Sequence, residues 1–204
     1  MRNAIPAWFH CHGDDRDGER EGDRRRFQHQ LDALGIKYKS LHVGTDGKFG
    51  LNLSGTLIRD LSLLETLPLT HLCLQGCYAI ADFRPLGGMS LIWLNLCRTR
   101  VRDLSPLEKL PLCHLDLRRT ATTDLLPLKD MPLRSLDIRF TKITDLSPLR
   151  RTPLQELSFH PGRIEGSLAM LVTMQSLERI NRMMPVEFWR KHGTEFSTRR
   201  RSAS

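Results

Sequence analysis

The fold is decided by residues 91–153, which read LIWLNLCRTRVRDLSPLEKLP (91–111), LCHLDLRRTATTDLLPLKDMP (112–132) and LRSLDIRFTKITDLSPLRRTP (133–153). These three segments share apolar residues at their first, fourth and sixth positions, threonine at the ninth and proline at the last, with a period of 21 residues. Less regular copies occupy residues 48–68, 69–90 and 154–176. A repeat of this length predicts a solenoid over 48–176, in which each repeat forms one coil that stacks on its neighbours.

The spacing within a repeat predicts a short strand followed by a tight turn. Positions 3, 5 and 7 alternate with the apolar positions 4 and 6, which is the pattern of a strand with one buried face. In the third repeat, Ser105 is interpreted as a helix N-cap and Pro106 as the first residue of a short 3₁₀ or α-helical turn. Pro111 then ends the turn and favours an extended residue before it. One repeat alone cannot bury its apolar face, so the array is expected to fold cooperatively.

The ninth position carries a small hydroxyl or thiol in every regular copy. We expect these side chains to turn inward and to bond the backbone of the neighbouring coil. They are Thr56, Cys77, Thr99, Thr120 and Thr141.

The two ends differ from the repeats. Dense charge in residues 1–26 predicts a disordered segment, and residues 27–47 are interpreted as an N-terminal cap with a helical face of Phe27, Leu31 and Leu34, a stop at Gly35, and a first strand at 39–43. Residues 166–174 lack proline and predict a true helix in the last repeat. Residues 177–193 are interpreted as a C-terminal cap whose Phe188 and Trp189 cover the open end of the core, followed by a basic tail over 194–204.

Composition excludes several classes of protein. The formal net charge is +8, but no extended basic stripe appears, so the sequence does not predict a nucleic-acid partner. Five cysteines without framework spacing argue against a disulfide scaffold. No apolar run approaches the roughly 18 residues of a membrane span. We expect a cytoplasmic monomer without a membrane association.

The repeat pattern L-x-x-L-x-L-x-x-[TC]-x-[VI] resembles the leucine-rich repeat. Together with LERIN at 177–181, PVEFWR at 185–190 and GTDGK at 44–48, it resembles repeat regions of planctomycete and related bacterial proteins, in which such repeats often follow a serine/threonine kinase domain. The wider class includes internalin-like proteins, which bind other proteins on a concave sheet. The resemblance implies an α/β repeat solenoid, a leucine-rich repeat arc with a parallel concave sheet and short 3₁₀ or helical turns on the convex side.

The sequence contains no glycine-rich phosphate loop, no His-Arg-Asp catalytic loop and no Asp-Phe-Gly segment, so kinase activity is not carried over. We therefore predict a non-catalytic module without a cofactor that binds a protein partner. The alternative is a substrate-docking or regulatory fragment of a bacterial kinase-type signalling protein that lacks its kinase domain.

The predicted binding site lies on the outward strand positions 3, 5 and 7. Tryptophan and arginine are enriched among the residues that dominate interface energies, and the outward strand position predicts that Trp93 is exposed. The predicted protein-binding residues are Trp93, His114, Asp116, Arg118, Asp137 and Arg139. The opposing interpretation is a solvated strand surface whose charges pair with one another.

Three other sets of residues could form a different kind of site. Asp116 and Asp137 occupy the same position in successive strands and could form a catalytic carboxylate pair, but the arginines on that face favour a ladder of ion pairs. Four of the cysteines fall at different repeat positions and residues 10–12 (HCH) are adjacent, so neither set predicts a metal site. The arginine runs at 24–26 and 199–201 could contact anionic surfaces, although solvated tails are the simpler interpretation.

Overall fold

The repeats fold into a stack of coils joined by one sheet. A computed structural model describes residues 18–43 and 49–192. The sheet has eight strands in chain order, of which β1 and β2 are antiparallel and every later pair is parallel. The strands are β1 (Ser40–Val43), β2 (Phe49–Asn52), β3 (Leu69–Cys73), β4 (Trp93–Asn95), β5 (His114–Asp116), β6 (Ser135–Asp137), β7 (Glu156–Ser158) and β8 (Arg179–Ile180).

The register of the sheet aligns equal repeat positions. Trp93 pairs with His114, which pairs with Ser135, and that residue pairs with Glu156. The neighbouring column at position 5 runs from Asn95 through Asp116 and Asp137 to Ser158. The 21-residue period of the sequence therefore becomes a set of straight columns on the sheet.

The core is a continuous stack of leucines between the strands and the returning chain. In the third repeat Leu91, Leu94 and Leu96 at positions 1, 4 and 6 are fully buried. The residues at the same positions of the next two repeats are likewise buried, at 3% exposure or less. This confirms the predicted inward face of the strands.

A short 3₁₀ helix follows each strand from β2 to β7, with two after β7. The helices are Ser62–Leu64, Arg84–Gly88, Ser105–Leu107, Leu126–Leu128, Ser147–Arg151, Pro161–Arg163 and Ser167–Thr173. The sequence interpretation of Ser105 as an N-cap was wrong, because Ser105 is itself the first helical residue. Asp103 provides the acceptor instead, since its Oδ1 accepts hydrogen bonds from the backbone N–H and the hydroxyl of Ser105 at 2.9 and 2.6 Å.

Of the threonines at position 9, Thr99, Thr120 and Thr141 are buried and Thr56 is half-buried, but each bonds a carbonyl of its own coil. The hydroxyls of Thr99, Thr120 and Thr141 donate at 2.7 Å to the carbonyl three residues earlier. Only the Cys77 thiol follows the predicted cross-coil geometry among the described residues of this column, donating to the Leu53 carbonyl at 2.9 Å. The column therefore stabilises each turn from inside.

The N-terminal end contains more helix than the sequence predicts. Helix α1 (Gly18–Ala33) begins nine residues before the predicted cap, so the prediction of disorder was wrong for residues 18–26. Phe27 and Leu31 anchor the helix, and the Phe27 ring stacks on Phe49 at 4.8 Å between centroids. The charged residues at 21–26 are exposed, and the Glu21–Arg25 pair at 3.0 Å supports the helix across one turn. Leu34 lies after the helix and is 38% exposed, so its predicted place on the helical face was also wrong.

The C-terminal end closes the core as predicted. Phe188 lies in a helix over residues 185–192, designated α2, and is fully buried with its ring 5.8 Å from that of Phe159. Trp189 packs edge-on against Phe188 at 5.2 Å. The last repeat forms the 3₁₀ helix Ser167–Thr173 where a true α-helix was predicted, although Leu168 and Leu171 are buried at the helical spacing that suggested it. In the parts of the chain that are described, no helix is long and apolar enough to cross a membrane.

Removing the inward hydroxyl of Thr120 should weaken the stack. Thr120→Val keeps the side-chain shape but removes the hydrogen bond to the Leu117 carbonyl, and we expect a loss of about 1 kcal/mol in the free energy of unfolding. Urea denaturation measures this loss. Thr123→Val at an exposed position is the matched control and should change the stability by much less; equal losses in both variants would contradict the role of the column.

Candidate binding face

The strand positions 3, 5 and 7 form one face of the sheet, and an open depression of about 240 Å³ lies on it. Five of the six predicted site residues line this depression: Trp93, His114, Asp116, Arg118 and Asp137. The sixth, Arg139, joins them through its ion pair with Asp137. The structure therefore brings the predicted set together, and it adds residues at the C-terminal side, of which Glu156 and Arg182 are charged.

Two aspartates and two arginines form a single ladder of ion pairs. The Arg118 guanidinium donates from Nε to both carboxylate oxygens of Asp116 at 2.9 Å, and Arg139 reaches Asp137 in the same way at 3.0 and 3.1 Å. Arg118 Nε also lies 3.4 Å from Asp137 Oδ2, so the ladder crosses from one coil to the next. These hydrogen bonds and charges raise the pKa of both guanidinium groups, which stay charged at any accessible pH.

The aspartates also complete the backbone of their own coil. Asp116 Oδ1 accepts from the backbone N–H of Arg118 at 2.9 Å, and Asp137 Oδ1 accepts from that of Arg139 at 3.1 Å. Asn95 satisfies the N–H of Cys97 in the same way at 2.8 Å. The N–H groups of positions 6 and 8 donate to carbonyls of the next coil, but the N–H of position 7 does not. The position 7 N–H therefore needs the side-chain acceptor at position 5. The Asn and Asp side chains at position 5 therefore have a structural role, which is to accept the hydrogen bond of the position 7 N–H.

Trp93 is not exposed, which corrects the expectation from the sequence. Only 7% of its surface is accessible. Asn95 and Cys97 beside it are 3% and 4% exposed, and Cys73 is fully buried. Burial raises the pKa of the Cys73 thiol to about 11, so this thiol stays protonated and is a weak nucleophile. Trp93 is therefore part of the buried base of the face and offers little surface to a partner.

The accessible groups of the depression lie towards its C-terminal side. His114, Glu156 and Arg182 are exposed, and Ser135 lies on β6 between His114 of β5 and Glu156 of β7. Desolvation lowers the pKa of His114, so its ring is neutral at neutral pH. These residues present neutral, anionic and cationic groups above the ladder.

The geometry does not favour catalysis by the carboxylate pair. Asp116 and Asp137 are opposite each other in adjacent strands, as the sequence predicts, but both carboxylates accept hydrogen bonds from a guanidinium and a backbone N–H. A general acid or nucleophile needs an oxygen that is free to meet a substrate. Across residues 18–43 and 49–192, no group of three or more metal-ligating side chains is assembled; residues 10–12 and 199–201 lie outside the described residues.

One feature of the face's edge was not foreseen from the sequence. Position 8 adopts the left-handed backbone conformation in five successive repeats, with φ between 56° and 71°. The residues are Gly55, Gly76, Arg98, Arg119 and Phe140. A residue with a side chain is destabilised by roughly 1–2 kcal/mol in this conformation. The two glycines at equal repeat positions are the sequence signal that could have revealed it.

A leucine column, a parallel sheet of one strand per repeat and a 3₁₀ return segment together define a fold of the leucine-rich repeat class. Among solved structures, the chain is similar to an internalin C2 from Listeria monocytogenes, with 29% sequence identity over 63% of this chain and a TM-score of 0.56. The similarity spans 58% of that internalin chain. No protein-family model matches the sequence, and no curated protein matches it.

Truncating Asp137 should destabilise the chain more than neutralising it. Asp137→Ala leaves the Arg139 N–H without its acceptor and the Arg139 guanidinium without its carboxylate, and it removes the second carboxylate contact of Arg118, which keeps Asp116, so we expect a loss of about 2–3 kcal/mol in unfolding free energy. Asp137→Asn retains an acceptor, as Asn95 does, and should lose about half as much. Guanidinium chloride denaturation compares the two.

Glu108→Ala removes an exposed carboxylate that makes no side-chain hydrogen bond or ion pair within the described residues, and serves as the control. Its effect should stay within about 0.5 kcal/mol. Equal losses for Asp137→Ala and Asp137→Asn would show that the backbone hydrogen bond contributes nothing.

Proposed function

We propose that this chain is a non-catalytic leucine-rich repeat module that binds a protein partner on the strand face of β4–β7. The observation that carries the proposal is the depression over the Asp116–Arg118–Asp137–Arg139 ladder, with accessible polar groups around a buried tryptophan. Solenoid repeats use the extended surface of their sheet for binding. The fold of this class supports an interaction role.

The face is preorganised for such a role. Ion pairs within the ladder fix both arginines, whose side chains are only 16% and 28% exposed. Binding therefore immobilises few additional rotamers, and this lowers the entropic cost of association. The strand backbones beneath are held on both sides by hydrogen bonds to neighbouring coils. A rigid polar face of this kind selects a partner by shape and charge pattern.

The charges available to a partner differ from those that the sequence highlights. Arg118 and Arg139 are already matched by carboxylates, so a partner contacts them mainly through the outer edges of their guanidinium groups. His114, Ser135, Glu156 and Arg182 offer the more accessible contacts. We therefore assign recognition to these residues and preorganisation to the ladder.

Filling the depression should abolish partner binding while the fold is retained. Ser135→Tyr places a ring at the centre of the face, where Ser135 is half-buried between His114 and Glu156 in the register. We expect proteins that the wild-type chain retains from source-cell lysate to be lost from this variant, as measured by quantitative mass spectrometry.

Thr144→Tyr adds the same ring at an exposed position after the strands and is the matched control. It should retain the same proteins as the wild type. Retention of the same partner by Ser135→Tyr, with an unchanged circular dichroism spectrum, would contradict binding through the strand face.

A further inference from the structure

Four cationic side chains and one aromatic side chain lie just beyond the C-terminal ends of β4–β6. Position 8 supplies Arg98, Arg119 and Phe140, and position 10 supplies Arg100 and Lys142. We call these five residues the arginine ridge. All five are exposed, and Phe140 has 58% of its surface accessible. The ridge is separate from the ladder, whose arginines belong to position 7.

The backbone of the ridge is held in place by the stack. The Arg98 N–H donates to the Arg118 carbonyl at 2.9 Å, and the Arg119 N–H donates to the Arg139 carbonyl at 3.1 Å. The earlier coils make the same bond from Gly55 and Gly76. Successive ridge side chains therefore project from backbones one strand spacing apart, about 4.8 Å.

The side chains of the ridge are retained against a backbone preference. Gly55 and Gly76 adopt this left-handed conformation without strain, with φ of 70° and 71°. Arg98, Arg119 and Phe140 adopt it at φ of 57°, 56° and 62° despite their side chains. Strain kept at consecutive surface positions, where glycine is the stable choice, points to a use for the side chains.

The ridge also differs from the ladder because most of its cationic side chains are not paired with a carboxylate. Within the described residues, the side chains of Arg98, Arg100 and Lys142 make no hydrogen bond or ion pair. Arg119 lies over the Phe140 ring with its guanidinium carbon 4.6 Å from the centroid. This cation–π contact orders one arginine and leaves its guanidinium edge open to an acceptor. Guanidinium groups bind carboxylates in a bidentate manner.

We propose that the arginine ridge binds an extended acidic peptide segment of a partner protein. Carboxylates along the segment would pair with the ridge cations, and an apolar side chain would contact Phe140. A peptide fits better than a nucleic acid because carboxylates follow the ridge in each of its three repeats. Position 13 supplies Asp103, Asp124 and Asp145, which are exposed and form no ion pair within the described residues. These carboxylates repel a broad polyanion but leave room for a single strand of acidic side chains.

The test measures binding of a fluorescein-labelled octaglutamate peptide to the full chain by fluorescence anisotropy at low ionic strength. Arg98→Gly/Arg119→Gly should raise the Kd about tenfold, a change of about 1.4 kcal/mol. The same variant should not lower the melting temperature, because glycine suits the left-handed conformation. Arg100→Gln/Lys142→Gln removes two ridge charges without touching position 8 and should weaken binding in the same direction.

The control Arg150→Gln/Arg151→Gln removes two exposed charges from the 3₁₀ helix Ser147–Arg151, away from the ridge. It should bind the peptide like the wild type. An equal loss in this control would show that only net charge matters and would overturn the proposal. Binding of an eight-nucleotide oligothymidylate as tightly as the peptide, with loss in the ridge variants, would also overturn it in favour of a nucleic acid.

Absence of peptide binding to the wild-type chain would overturn the proposal outright. The proposal for the ridge and the proposal for the strand face can be tested separately, because Ser135→Tyr blocks the depression without altering a ridge residue. Unchanged peptide binding by Ser135→Tyr is expected, and loss of peptide binding in that variant would move the acidic segment from the ridge to the strand face.

Discussion

Everything in this molecule depends on the hydrogen bonds that join one coil to the next. The amides of positions 6 and 8 donate to carbonyls of the following repeat, as Leu117 does to Asp137 and Arg119 to Arg139. This pairing fixes the spacing of the leucine columns inside and of the charged columns outside. The same pairing accompanies the left-handed conformation at position 8. It leaves the N–H of position 7 to donate to the side chain at position 5. The ladder of aspartates and arginines is a consequence of that stacking.

Most of the fold could be predicted from the sequence because a repeat converts a local pattern into a tertiary one. A period of 21 residues and alternation around Leu94 and Leu96 are sufficient for the strand positions, the register and the buried face. The end segments were harder, since they have no neighbouring copy to compare. Helix α1 begins at Gly18 because Phe27 and Leu31 anchor a segment that charge alone marks as disordered. The capping role of Asp103 was missed because a serine–proline pair resembles a helix start.

The sequence was sufficient to predict which residues form the candidate site, but not what each of them does there. Repeat positions 3, 5 and 7 identify the columns, and five of the six predicted residues line one depression. The repeat pattern places Trp93 at an outward strand position and therefore does not reveal that its side chain is only 7% exposed. Nor does it show that Arg118 bonds two carboxylates at once. Because the charges of the ladder are already paired, our proposals place partner contacts on the accessible residues around it and on the arginine ridge.

Native-state hydrogen exchange tests the stacking directly. The amides of Leu96, Leu117 and Ile138 each donate at 2.8 Å to a carbonyl of the following coil. If stacking holds the fold together, these three amides exchange with one common free energy that equals the free energy of global unfolding. The account is contradicted if each coil exchanges with its own lower free energy, because the coils would then open independently and could not hold a rigid face.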